Sequence, residues 1–184
     1  MKTQTSVPPD EMRPDDMRPD DSEPAVVDPL KAIQEEHGVF AAIGGTPMVR
    51  LARVIPNLPF NLYAKLEFLN PGGSIKDRVA FSIIRKALEN GDIGPHSVVI
   101  ESSSGNMGIG LAQLCAYYGL RFICVVDSKT TSQNIRLLEA YGAEVDMVSV
   151  ADSRTGEFLQ ARIERVKFLL HSVENAFWPN QYAN

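Results

Sequence analysis

Hydrophobic and polar positions change period along this chain, and the changes mark its elements. Asn61 to Leu69 (N-L-Y-A-K-L-E-F-L) alternates in the manner of a strand. From Val79 to Asn90 the apolar residues recur at helical spacing and stop before Gly91, which predicts a helix closed by a glycine. Beyond it a strand followed by a helix recurs as Val98 to Gly119, Arg121 to Gly142 and Glu144 to His171. The second helix, Gln133 to Tyr141, has Leu137 and Leu138 at its centre and ends on Gly142, a good C-cap residue. The third, around Glu157 to Leu170, carries Phe158, Leu159, Ile163, Val166 and Leu169 near helical spacing. Strands alternating with helices predict parallel pairing through right-handed crossovers, hence an α/β fold with an open parallel sheet and flanking helices.

The first 29 residues break this pattern. They hold eight acidic residues and six prolines, and they repeat M-R-P-D-D at Met12 to Asp16 and Met17 to Asp21. Such a segment buries too little apolar surface to offset its ordering entropy, so an acidic, proline-rich disordered tail is expected over 1–29. It lacks the apolar run of a signal peptide, and no run in the chain reaches the length of a bilayer span. The expected location is therefore the cytoplasm, with no membrane partner. A net charge of −5 argues against nucleic-acid binding, and Arg50, Arg53, Arg121 and Arg136 are isolated rather than clustered. Cys115 and Cys124 lack C-x-x-C spacing and fall in a predicted helix and strand, where buried thiols are expected. His37, His96 and His171 lack metal-ligand spacing, so no metal site is expected.

Two motifs sit where predicted strands give way to helices. P-G-G-S-I-K-D-R (Pro71 to Arg78) puts Lys76 at the mouth of a helix behind a glycine turn. Helix N-termini at the carboxyl ends of strands favour phosphate or carboxylate, and an amine there lies close to such a ligand; a solvated surface cation is the plainer reading. E-S-S-S-G-N-M-G (Glu101 to Gly108) follows the strand S-V-V-I and offers donors on Ser102, Ser103, Ser104 and Asn106, with Gly105 letting a ligand approach the backbone. An ordinary helix-capping cluster has the same composition. Asp77 and Arg78, in the first helical turn, read as structural, and Ser74 as a cap.

In order and spacing, these motifs resemble the fold-type II pyridoxal-phosphate enzymes that include cysteine synthases and cystathionine β-synthases. I-G-G-T-P-M-V-R-L (Ile43 to Leu51) looks like that family's entry segment, P-G-G-S-I-K-D-R like its cofactor-lysine motif and S-S-G-N-M-G like its substrate-carboxylate loop. N-Q-Y-A-N (Asn180 to Asn184) resembles the segment carrying an active-site glutamine. The resemblance runs from about residue 38 onward and implies a tryptophan-synthase-β-like fold. Cysteine synthases usually have threonine where this loop has Ser103 and Met107. With R-F-I-C-V-V-D, T-G-E-F-L-Q-A-R-I-E-R-V and F-W-P-N-Q-Y-A-N, the loop looks most like the siderophore-pathway synthases that join O-phospho-L-serine to L-glutamate, giving N-(2-amino-2-carboxyethyl)-L-glutamate, a precursor of 2,3-diaminopropionate.

The resemblance implies pyridoxal 5'-phosphate as cofactor and Lys76 as the catalytic residue, anchoring the cofactor and then moving the substrate α-proton. It assigns Asn106 to the cofactor as well as to substrate, and Ser103, Ser104, Gly105, Asn106, Met107 and Gln181 to an amino-acid substrate, with a homodimer as the assembly. Family members are roughly twice as long on the scale of ordinary domains. The expected division is therefore 30–70 as an entry segment of a larger domain, with exposed apolar edges, and 71–184 as a smaller three-layer α/β domain. The family's glycine-rich phosphate loop and its residue facing the pyridine nitrogen are expected in a following half. A cysteine synthase using sulfide with O-acetylserine or O-phosphoserine, and a short non-catalytic relative acting by protein interaction, are the alternatives.

Overall fold

Parallel strands buried on both faces read as near-continuous apolar runs, and V-V-I and F-I-C-V-V supply two of them. A computed structural model describes residues 38–53 and 59–183. The expected tail, His37 and Asn184 lie outside the described residues, as does part of the entry segment. The strands are β1 (Met48–Arg50), β2 (Tyr63–Lys65), β3 (Val98–Ser102), β4 (Arg121–Asp127), β5 (Glu144–Val148) and β6 (Ala176–Phe177). The helices are α1 (Lys76–Asn90), α2 (Asn106–Tyr118), α3 (Ser132–Ala140) and α4 (Phe158–Ser172). β1 and β2 form an antiparallel ribbon; the rest form a parallel sheet in the order β5-β4-β3-β6.

Alternate residues of the central strands supply two cores. Val99, Phe122, Cys124 and Val126 pack with Ile84 and Leu88 of α1, Leu111 and Leu114 of α2 and Leu138 of α3. Val98, Ile100, Ile123 and Val125 face the other way, onto Val166 and Leu169 of α4. The chain steps outward from β3 through β4 to β5, then returns along α4 to lay β6 on the far side of β3. That reversal makes a topological switch point, and ligands of open α/β sheets bind there, beyond the carboxyl ends of the strands.

Two elements differ from the sequence expectation. The strand expected over Asn61 to Leu69 is only Tyr63–Lys65, followed by a 3-10 turn at Glu67–Leu69. The cause is Glu67, whose carboxylate is drawn to Arg78, Thr46 and Asn70 and takes the chain off the strand line. In α4, Leu159 is 44% exposed despite its place in the apolar pattern. Met48, Phe60, Tyr63 and Phe68, on or beside the ribbon, are more than half exposed. Cys115 and Cys124 are buried free thiols, and burial pushes both well above the ordinary thiol range. No helix among the described residues is long and apolar enough to cross a membrane.

Candidate functional site

Lys76 is the first residue of α1, and the turn ahead of it is tightly held. Its N–H donates to Ser74 Oγ at 3.1 Å, so Ser74 serves as a local cap. Gly72 N–H donates to Asp77 Oδ2, and a β-carbon at Gly72 would collide with the Asp77 carboxylate and the Gln113 amide, so only glycine fits. Asp77 is wholly buried, and burial pushes its carboxyl above the ordinary value. Its role is to fasten the glycine turn from inside the fold, more than to complement the helix dipole.

A polar cluster ties this turn to the ribbon. Arg78 donates to both oxygens of Glu67, at 2.7 and 3.0 Å, and to Thr46 Oγ1 at 3.1 Å. Thr46 and Asn70 donate to the same carboxylate, and Gly44 N–H donates to Asn70 Oδ1. Hydrogen bonds from Arg78 and Thr46 hold Glu67 at about 2, against an ordinary 4.5. Because the folded value is depressed, the stabilisation is complete above about pH 4.5 and is lost as pH falls toward 2. Glu67→Gln should therefore flatten the acid limb of the unfolding curve in that window while leaving its shape near neutrality unchanged. Acid titration followed by circular dichroism checks this, and a parallel acid limb in the variant would refute it.

Across from Lys76, β3 ends at Ser102 and the serine loop Ser103–Gly105 leads into α2. Ser103 Oγ accepts Gly108 N–H at 2.8 Å, in the first turn of α2, and its hydroxyl donates to Gly105 O at 3.4 Å. Asn134 Nδ2 donates to Ser104 O at 2.9 Å, and Cys124 Sγ donates to Ser103 O at 3.2 Å, so α3 and β4 brace the loop from behind. Asn106 is exposed, Ser104 and Gly105 are half-buried and Met107 is buried. A β-carbon on Gly105 would meet nothing within 4 Å, so its backbone borders open space.

That space is a cavity of about 380 Å³ at the switch point, within the range of small-molecule sites. Lys76, Ser103, Ser104, Gly105, Asn106, Met107 and Gln181 all line it. The residues singled out in sequence are therefore brought together, from segments as distant as α1 and the chain beyond β6.

Four further residues line the cavity: Ile75, Ser102, Arg162 and Tyr182. Ser102 Oγ is buried without a hydrogen-bond partner. Arg162 projects from α4, its side chain only 11% exposed. Its Nε lies 3.1 Å from Asp127 Oδ2 but out of line for a hydrogen bond. A sequence signal for Arg162 existed, because Arg162, Val166 and Leu169 stand at i, i+4 and i+7, placing an arginine on the buried stripe of the helix. No group of residues suited to a metal ion occurs among the described residues.

Comparison with known proteins gives this site a context. The N-(2-amino-2-carboxyethyl)-L-glutamate synthase of Cupriavidus metallidurans is 49% identical over 148 residues, covering 80% of this chain and 43% of that protein. The enzyme of the same name from Ralstonia nicotianae is 50% identical over 142 residues, covering 77% of this chain and 42% of its own length. The crystal structure of a hydrogen sulfide-producing enzyme from Fusobacterium nucleatum superposes with a TM-score of 0.71 at 36% identity, over 80% of this chain and 46% of that one. This chain thus spans less than half the length of these relatives. Residues 39–184 match the family model described as pyridoxal-phosphate dependent enzyme, and the chain belongs to that family.

Proposed function

We propose that this chain carries the lysine, the carboxylate loop and the leaving-group cation of a β-replacement synthase that joins O-phospho-L-serine to L-glutamate, releasing phosphate and N-(2-amino-2-carboxyethyl)-L-glutamate. The observation that carries this reading is the pairing, in one cavity, of Lys76 and the Ser103–Met107 loop with a second cation, Arg162. A departing phosphate carries more negative charge than a departing acetate, and a guanidinium pairs with it in bidentate fashion. The names of the two relatives, both N-(2-amino-2-carboxyethyl)-L-glutamate synthases, agree with it. The wider arrangement belongs to the same proposal: 30–70 as entry to a larger domain, 71–184 as the smaller domain, a homodimer, and a cytoplasmic location.

The residues present fit pyridoxal phosphate on two observations. The cavity is large enough for a small-molecule ligand, and Gly105 borders it with no side chain to fill it. Ser102 Oγ, at the same wall, is a buried polar group with no hydrogen-bond partner among the described residues. Lys76 would hold the cofactor covalently and Asn106 would contact its ring. When bound, the cofactor supplies an electron sink that acidifies the substrate Cα–H bond.

The chain's own groups then do the rest. Ser103, Ser104, the Gly105 and Met107 backbone and Gln181 hold the substrate carboxylate, fixing the Cα–H bond toward Lys76. The Lys76 amine takes the α-proton and later returns it to Cα. Arg162 neutralises the phosphate as the Cβ–O bond breaks and phosphate departs with that electron pair. The glutamate amine forms the new Cβ–N bond and gives up one proton.

The test is phosphate release from O-phosphoserine by the cofactor-loaded protein, with glutamate or sulfide as acceptor. Release and condensation with glutamate are expected. Consumption of sulfide alone would assign the protein as a cysteine synthase, and no turnover with either acceptor, in protein that shows a Lys76-dependent cofactor band, would favour a non-catalytic relative.

A further inference from the structure

Glu101 sits at the end of β3, directly before the serine loop, and is only 1% exposed. Among the described residues no cation hydrogen-bonds to it; N–H donors converge on it. Ser102 N–H and Trp178 Nε1–H donate to Oε1 at 2.8 and 3.1 Å, and Gln181 N–H donates to Oε2 at 3.3 Å. The Asn180 N–H faces the same carboxylate. Asn180 has φ +46, a left-handed conformation that asparagine tolerates better than most residues. Successive N–H groups in such a turn form an anion-binding concavity, and here the anion is a side chain of the same protein.

We propose that Glu101 is a positioning residue: its carboxylate latches the Trp178–Tyr182 segment to the carboxyl end of β3 and so places Gln181 and Tyr182 in the cavity. The connection spans the switch point, since β3 supplies the acid and the chain leaving β6 supplies the donors. β6 itself is only two residues long and joins β3 through Val98 and Val99, at the opposite end of that strand from Glu101. The ladder therefore does not fix the direction taken by the segment beyond it. An ionised carboxylate offers acceptors only, which suits a site where every neighbouring polar hydrogen points inward. Burial outweighs the donors from Trp178, Ser102, Gln181 and Asn180 and leaves the Glu101 carboxyl above its ordinary value, so these donors are what favour its ionised form. An amide of the same shape would turn an NH2 group onto at least one pair of these donors.

The part of the inference that concerns Gln181 rests on the proposed function; the latch itself does not. Trp178 is the chain's single tryptophan, so its fluorescence reports the latch without any substrate. In Glu101→Gln, acrylamide quenching of Trp178 should rise and its emission maximum should shift, with the helical circular dichroism signal retained. In the cofactor-loaded protein the same variant should raise KM for O-phosphoserine about 10-fold, the scale of one lost charge-assisted hydrogen bond, with a smaller change in kcat. Glu101→Asp, which keeps the charge, should recover part of the loss.

Unchanged quenching in Glu101→Gln would overturn the latch, whatever the substrate. A lower melting temperature with KM and kcat unchanged, in a protein whose KM does rise in Gln181→Ala, would reduce Glu101 to a purely structural role and also overturn it. Should Glu101→Gln fail to fold, Trp178→Phe removes one donor and keeps the ring's bulk. A raised KM there supports the latch, and an unchanged KM beside a raised KM in Gln181→Ala overturns it. Gln181→Ala separates the two readings: if it leaves KM unaltered while Glu101→Gln still exposes Trp178, the latch stands and the role given to Gln181 falls.

Discussion

Lys76→Ala should lower turnover by roughly 10³-fold or more, the scale on which a positioned proton-transfer group contributes. The same change should remove the near-visible absorbance band of the bound cofactor, because the amine is both anchor and proton carrier in the proposed reaction. Its position makes the loss specific. The backbone around Lys76 is fixed by Ser74 Oγ, by Asp77 from within the core and by the Arg78–Glu67 pair, none of which uses the Lys76 side chain. Folding should therefore be untouched, and circular dichroism of the variant should match the parent. Lys76→Arg keeps a cation but not a titratable amine, and it should be as inactive as the alanine variant. A band and a turnover that survive either substitution would show that another amine does the chemistry.

Legibility of the fold followed the range of the forces involved. The βα alternation was readable because β3 and β4 are buried on both faces and α1 carries a clear apolar stripe, signals confined to a few neighbouring residues. Lys76 and the Ser103–Met107 loop were readable because glycine turns and helix starts announce themselves locally. Glu67, by contrast, is bent off the strand by Arg78 in the next element, a contact no periodicity encodes. β6 has two residues, too few for any pattern.

The missed site residues share a cause. Glu101 is an acid at the end of an apolar run, and its burial makes sense only once Trp178 and Gln181 arrive from across the switch point. Ser102 was noted only as one of several serines, and its isolation from partners is visible in three dimensions alone. Arg162 looks like any charged residue of an amphipathic helix unless its phase is matched to Val166 and Leu169. What the sequence resemblance added was the order of the motifs; what the fold adds is that four separate segments meet at one cavity.

Arg162→Ala should produce a loss confined to the phosphorylated substrate. With O-phosphoserine, kcat/KM should fall roughly 30- to 100-fold, about 2–3 kcal/mol for a hydrogen bond to a charged group. With O-acetylserine, whose leaving group brings no dianion, the change should stay within a few-fold. The prediction turns on the arrangement of α4 against the end of β4. Asp127 is buried, pairs with Arg162 and accepts Lys129 N–H at Oδ1, so it is held in place independently of the arginine. The buried guanidinium Nε lies 3.1 Å from Asp127 Oδ2, so Asp127 orients the arginine while Arg162 lines the cavity wall that an anion would meet. Arg162→Lys should fall between parent and alanine, because a point charge replaces a planar fork that matches phosphate geometry. Asp127→Asn should preserve folding while raising KM for O-phosphoserine, since the arginine then loses the group that orients it. Equal losses with both substrates in Arg162→Ala would place Arg162 in general structural support, and the phosphate reading of the leaving group would fail with it.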